Sequence, residues 1–277
     1  MTLVLPAPAK LNLFLHITGR RDDGYHELQT LFQLLDYGDE LTFSHRADGA
    51  VRLTPALPGI PETDNLVYRA AVALKRATGC HFGSDIHITK RLPAGGGLGG
   101  GSSDAATTLL GLNRLWNLGL GLDELATIGL QLGADVPVFV RGHTAWAEGI
   151  GERLTPVEMP EAWYFVLAPG CHVSTAAIFA DGELTRNARP ITIRAFLEQG
   201  AQNHCQPVVE RLYAGVLEAR QWLDGFAPAR MTGTGACLFA RFDCEAAARR
   251  VLAAKPAAWE GFVARGVNLS PVHRLLG

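Results

Sequence analysis

The sequence predicts an α+β protein built as two domains. Three observations carry that expectation. Residues 11–17 alternate between apolar and polar in the manner of a strand. A glycine run, LPAGGGLGGGSSD from Leu92 to Asp104, joins a strand to a helix. After about residue 155 a second set of mixed strands and helices begins, so the expected units are 1–155 and 156–277.

In the first unit, Leu11, Leu13, Leu15 and Ile17 share one strand face, expected to be the buried one. Lys10, Asn12, Phe14 and His16 share the other. RRDDGY is a turn, and LQTLFQLL, DELTFS and VRLTP read as further strands. Asp64 is placed to cap a helix that runs to about Thr78 and stops at Gly79. DIHITKRL is the strand feeding the glycine run. The helix beyond it carries Ala105, Leu109, Leu112 and Trp116 on one stripe and ends near Gly119. Asp123 caps another helix, with Leu125, Ile128 and Leu132 inward and Gly133 as its stop. In the second unit WYFVLAP is a strand, and helical patterns lie around Ala195–Leu197 and from Pro207 to Trp222. ARMTGTGACLFARF reads as two strands broken by glycines, CEAAARRVLAA as a helix and FVARGVNL as a last strand.

A chain of 277 residues that is 48% hydrophobic has ample material for a core. Its 25 basic and 27 acidic residues leave a net charge of −2, so no global positive field selects nucleic acid or an anionic membrane. A phosphate-rich ligand has to be met by local devices. The start MTLVLPAPAK lacks the basic opening and long apolar run of a secretory signal. No stretch approaches 18 apolar residues, and the five cysteines show no C-x-x-C spacing. The expectation is a cytoplasmic protein with reduced thiols and no nucleic-acid or membrane partner.

The glycine run is the strongest chemical signal. Six of the seven residues from Gly95 to Gly101 are glycine, and Ser102, Ser103 and Asp104, good helix starters, follow. A glycine loop opening onto a helix N-terminus aims free N–H donors and a positive dipole end at one point, which suits phosphate. Two familiar templates fail. Gly95, Gly97 and Gly100 satisfy G-x-G-x-x-G, but no second strand with a terminal acid follows, and Asp123 begins a helix instead. A Walker A pattern aligns from Gly96 to Gly101, but Ser102 stands where its lysine belongs.

Three other stretches have chemical content. Lys10 and Asn12 lie side by side in PAPAKLNLFLHI. Asp135, in LGADVPVF, precedes an apolar run that holds it in a buried or cleft position, where a carboxylate needs a cation; Lys10 is the obvious partner. MTGTGAC, from Met231 to Cys237, is a glycine-threonine turn.

Together these stretches resemble the GHMP small-molecule kinases, which act on galactose, homoserine, mevalonate and phosphomevalonate. The resemblance runs over nearly the whole chain, through GVNLSPVHR near its end. It implies a two-domain GHMP kinase fold, with an N-terminal ATP-binding domain of the ribosomal protein S5 domain 2 type and a C-terminal ferredoxin-like α+β domain. It implies ATP held by Pro93, Ala94, Gly95, Gly96, Gly97, Leu98, Gly99, Gly100, Gly101, Ser102 and Ser103, with Asn65 and Lys90 near the adenosine. By the same resemblance Asp135 takes the proton of the acceptor alcohol and Lys10 polarises that hydroxyl or the transferring phosphoryl, while Gly233 and Gly235 close on the phosphates. Mg²⁺ is expected with the ATP, held mostly by phosphates and water, with Ser103 as a candidate ligand.

The acceptor is indicated by RRDDGYHEL, from Arg20 to Leu28, and by TAAIF, from Thr175 to Phe179. These resemble a branch of the family that phosphorylates the 2-hydroxyl of a cytidine-diphosphate alcohol in non-mevalonate isoprenoid synthesis. Tyr25 and Phe179 are then candidates for stacking on cytosine, and His26 for its edge. Asn12 and Thr175 are candidates for the sugar-alcohol and diphosphate end. Two alternatives stand beside this reading. A mevalonate- or homoserine-type acceptor is disfavoured by GYHEL, and a nucleotide-binding regulator without activity by the presence of both Lys10 and Asp135.

Overall fold

The computed structural model describes residues 2–55 and 61–277. Its spine is a single long strand, β2 (His26–Arg46), paired along one edge with β1 (Thr2–Arg20). The other edge of β2 is shared by three strands in turn. β5 (Ala145–Gly149) pairs at Leu28–Phe32, β10 (Glu260–Val267) at Leu34 and Leu35, and β4 (Gly83–Thr89) at Glu40–Arg46. β3 (Val51–Thr54) lies parallel to β4, and β6 (Arg153–Pro156) extends β5. From β10 the sheet continues through β7 (Trp163–Ala168) and β9 (Leu238–Phe242) to β8 (Ala229–Met231). One ten-stranded sheet therefore runs through both halves of the chain. Among the described strands only β3 and β4 are parallel neighbours, which is the antiparallel signature of an α+β fold.

Three cores hold this sheet. The first lies under α1 (Leu66–Thr78), α2 (Gly100–Leu115), α3 (Leu122–Leu130) and α4 (Val136–Arg141). α2 is the centre of that half: every residue from Ser103 to Leu112 is buried. The second core packs the C-terminal strands against α5 (Thr175–Ala180), α7 (Gln206–Leu212), α8 (Ala214–Asp224) and α9 (Glu245–Ala254). The third joins the halves, bringing Leu11 and Phe14 of β1 against Trp146, Tyr164, Phe239 and Phe196, the last from α6 (Ile193–Gln199). α10 (Pro271–Leu276) returns the chain to β1.

Several local expectations are corrected. β1 is buried on both faces: Phe14 is as inaccessible as Leu11, and Lys10 and Asn12 are buried too. A register shift between Asn12 and Leu15 re-aims the strand, so Leu15 and Ile17 enter the second core while Leu11, Leu13 and Phe14 enter the third. LQTLFQLL and DELTFS are one strand, not two. Asp64 lies in a 3₁₀ turn, and the cap of α1 is its neighbour Asn65, whose Oδ1 accepts from the Val67 N–H at 2.9 Å. α2 is capped by Gly99, which places Ser102 to Asp104 inside its opening turns. α3 is capped by Gly121, whose N–H donates to the Glu124 carboxylate at 2.8 Å, so Asp123 is internal. Tyr213 splits the long C-terminal helical pattern into α7 and α8. Among the described residues no helix is long and apolar enough to cross a membrane.

Candidate active site

The glycine loop lies between the two halves and is tied to both. The bonds that anchor it use its carbonyls. Gly96 O accepts from Cys237 N–H at 3.2 Å, Leu98 O from Lys10 N–H at 3.0 Å, and Gly97 O from both Lys10 Nζ and Thr232 Oγ1. Every second residue, Gly95, Gly97 and Gly99, has a positive φ. An alternating backbone of this kind turns successive N–H groups toward one side, and with its carbonyls already engaged the loop offers those donors to an anion. Gly99 then caps α2 without a side-chain bond, so the first amides of that helix are also free to donate. Gly97 has no alternative residue: a Cβ there would fall 2.2 Å from Thr232 O.

Beside the loop is a cavity of about 990 Å³. Lys10 forms its floor, 3% exposed. Its Nζ donates to Asn12 Oδ1 at 2.6 Å and to Gly97 O at 3.0 Å, and lies 3.3 Å from Asp135 Oδ2. Asn12 is locked in turn, its Nδ2 donating to Thr30 Oγ1 at 3.0 Å. Asp135 stands at the N-cap of α4 with its side chain about a third exposed and making no cap bond. The short helix explains the placement: Pro137 starts it, and the buried run Val136–Val140 pins it to the first core. The result is a fixed ammonium and an accessible carboxylate on one wall.

The outer end of the cavity is lined by Tyr25, His26, Thr175 and Phe179. Tyr25 is 60% exposed. Phe179 is stacked on His26, with centroids 4.9 Å apart and planes 23° apart, so the aromatic pair formed here is Phe179–His26 and not Phe179–Tyr25. Burial, and then Arg186 and Arg20 nearby, hold the His26 pKa below its ordinary value. Thr175 Oγ1 lies 2.8 Å from Thr234 Oγ1, linking α5 to the glycine turn that also contributes Gly233 and Gly235 to the cavity.

Of the predicted residues, Lys10, Asn12, Tyr25, His26, Gly95, Gly97, Gly99, Ser102, Asp135, Thr175, Phe179, Gly233 and Gly235 share this cavity. Asn65 and Lys90 lie outside its lining. Asn65 spends its side-chain oxygen on capping α1. Lys90 pairs with Asp39 and, at 2.8 Å, with Asp104. Asp39 also accepts from the N–H groups of Arg91 and Leu92, so this cluster grips the entry to the glycine loop and the first turns of α2. Burial pushes the Asp104 carboxyl above the usual carboxylate range; Lys90 opposes this and Asp39 adds to it. Ser103 is fully buried, and its Oγ has no hydrogen-bond partner.

Two site residues were missed by sequence reasoning. Thr232 accepts from Asn12 N–H at 2.9 Å and donates to Gly97 O at 3.1 Å, joining β1 to the loop. Asn203 donates to Met231 O at 2.8 Å and Gly233 O at 2.7 Å, holding the turn in shape. Thr232 lies inside MTGTGAC and was within reach; nothing local to Asn203 signals its role.

Two family models match the chain, GHMP kinases N terminal domain over residues 65–143 and GHMP kinases C terminal over residues 183–261. The 4-diphosphocytidyl-2-C-methyl-D-erythritol kinase of Marinobacter nauticus is 58% identical, over 99% of this chain and 97% of its own. That of Pseudomonas aeruginosa is 59% identical, with the same 99% and 97% coverage. A crystal structure of 4-(cytidine 5′-diphospho)-2C-methyl-D-erythritol kinase superposes with a TM-score of 0.85 at 32% identity, covering 96% of this chain and 100% of the other.

Proposed function

The chain belongs to the GHMP kinase family, and from that premise we propose that it transfers the γ-phosphoryl group of ATP to the 2-hydroxyl of 4-diphosphocytidyl-2-C-methyl-D-erythritol. The products are the 2-phosphate and ADP, in the non-mevalonate (MEP) route to isoprenoid precursors. One observation carries this reading: the Lys10–Asp135 pair shares a cavity with the glycine loop on one side and the Tyr25–His26 segment on the other. The ATP-binding half falls to residues 1–155 and the second half to 156–277, with the two family models lying on either side of that division. The five cysteines are all free, which suits the reducing cytoplasm.

The chemistry follows from the placement. Phosphoryl transfer needs positioning and charge stabilisation more than covalent help. Loop and α2 amides meet the polyphosphate. The acceptor oxygen forms its bond to the γ-phosphorus as the bond to the bridging oxygen breaks, and electrons leave on ADP. An alcohol is a very weak acid, so its proton passes to Asp135 as the new bond forms. Lys10, unable to swing because Asn12 and Gly97 hold it, stabilises the negative charge on the oxygens in flight.

Mg²⁺ fits these residues. Ser103 Oγ is buried without a partner in the opening of α2, and among the described residues no group of three His, Cys, Asp or Glu side chains forms a rival site. Ser103 would hold the ion together with phosphate oxygens and water, and the bound ion would offset phosphate charge.

The test is ADP release against a panel of acceptors. Release is expected with 4-diphosphocytidyl-2-C-methyl-D-erythritol and not with mevalonate, homoserine or galactose. Equal efficiency with any of the last three overturns the acceptor assignment.

A further inference from the structure

His26 meets a second residue that neither the motifs nor the cavity lining identifies. Arg186, in the segment after α5, donates from Nε to His26 Nε2 at 3.2 Å. Three more of its five N–H donors are engaged. Nη2 donates to Phe179 O and Asp181 O, each at 2.7 Å, and Nη1 to Leu184 O at 3.1 Å. One side chain thus ties the end of α5, the turn beyond it and the strand that carries His26.

The bond to Nε2 has a chemical consequence. A guanidinium is always protonated and can only donate. Its partner must therefore present a lone pair, so His26 Nε2 carries no proton. Protonating it would also set a second cation against Arg186 and Arg20, in keeping with the lowered basicity of the ring. The proton of the neutral imidazole then resides on Nδ1, and the nitrogen left for a ligand is a donor. A cytosine ring offers two adjacent acceptors, O2 and N3; a uracil ring has N–H at position 3 in place of the second.

We propose that Arg186 is a positioning residue of the acceptor site, which fixes the His26 tautomer as an Nδ1–H donor toward a pyrimidine acceptor atom and pins Phe179 beside it. The proposal rests on the cytidylyl acceptor assigned above. Arg186 itself touches no substrate; it acts through His26 and the Phe179 backbone.

The test combines a spectrum with kinetics. In ¹⁵N-histidine-labelled wild-type protein, His26 should show a protonated Nδ1 and a bare Nε2 at pH 7. Arg186→Met should return the ring to a mixture of tautomers. It should also raise KM for the cytidylyl acceptor by about three- to tenfold, the worth of one hydrogen bond. KM for ATP should stay within about twofold. Arg186→Lys, which restores a cationic donor, should recover much of the acceptor KM. A wild-type spectrum with the proton on Nε2 overturns the proposal, as does Arg186→Met with unchanged tautomer and unchanged acceptor KM. Should Arg186→Met fail to fold, the wild-type spectrum and Arg186→Lys decide the matter. If the wild-type enzyme does not turn over the cytidylyl acceptor, that removes the acceptor assignment, and the tautomer spectra still judge Arg186 separately.

Discussion

Lys10 Nζ and Asp135 Oδ2 lie 3.3 Å apart, yet the ammonium is almost wholly buried while the carboxylate is a third open to the cavity. The asymmetry divides their work. A buried ammonium with three fixed partners is a stationary charge. A carboxylate beside it that still reaches solvent can accept a proton from an incoming hydroxyl.

Asp135→Asn should therefore lower kcat by about 10²–10⁴, the usual range for loss of a general base. The dissociation constant for ATP, read by titration calorimetry, should stay within about twofold. Normal turnover in this variant would take Asp135 out of the chemistry.

Gly97→Ala places a methyl group 2.2 Å from Thr232 O at a backbone position with φ of 75°. Forcing a side chain into the left-handed region costs about 1–3 kcal/mol even without the clash. The variant should melt at a lower temperature and bind ATP at least tenfold more weakly. A melting temperature and ATP affinity equal to wild type would mean that the loop has another accessible shape.

Tyr25→Ala should leave the melting temperature unchanged, because the ring is 60% exposed and supports no core. If it stacks on the base, KM for the cytidylyl acceptor should rise about three- to tenfold, matching the worth of an aromatic pair, with kcat little altered. An unmoved KM takes Tyr25 out of base stacking and leaves Phe179, already packed on His26, as the stacking candidate.

His16 stacks on His204 with centroids 4.4 Å apart and planes 12° apart. Burial, and then the neighbouring His204, lower His16 from 6.5 to about 4. Between those values the unfolded chain binds a proton that the folded chain refuses. Stability from this ring is thus complete above about pH 6.5 and is lost as pH falls toward 4. His16→Gln should reduce the drop in melting temperature between pH 7 and pH 5 by about 2–4 °C. An identical drop in both proteins would show that the stack imposes no such penalty.

Much of this was legible in the sequence where the signal is local. LPAGGGLGGGSSD announces a loop opening on a helix, and the structure has Gly99 capping α2. The demand of Asp135 for a cation pointed to Lys10, and the two are paired. What stayed hidden depends on contacts between distant segments. Alternation cannot reveal that both faces of β1 are buried, because the second half of the chain packs on Leu11 and Phe14 alike. Nor can it reveal that three strands divide one edge of β2. The aromatic pairing at the outer cavity depends on how α5 is held, and the residue holding it, Arg186, has no motif of its own.

Thr232 bonds to β1 with one lone pair and to the glycine loop with its proton. The phosphate cradle is therefore not a portable module. Grafted into another protein with its flanking strand and helix, LPAGGGLGGGSSD would keep its glycines and lose the hydroxyl that sets their curvature. By the same reasoning, a drift in the C-terminal turn should register first as altered nucleotide affinity, so the loop and the turn are expected to change together in descent or not at all.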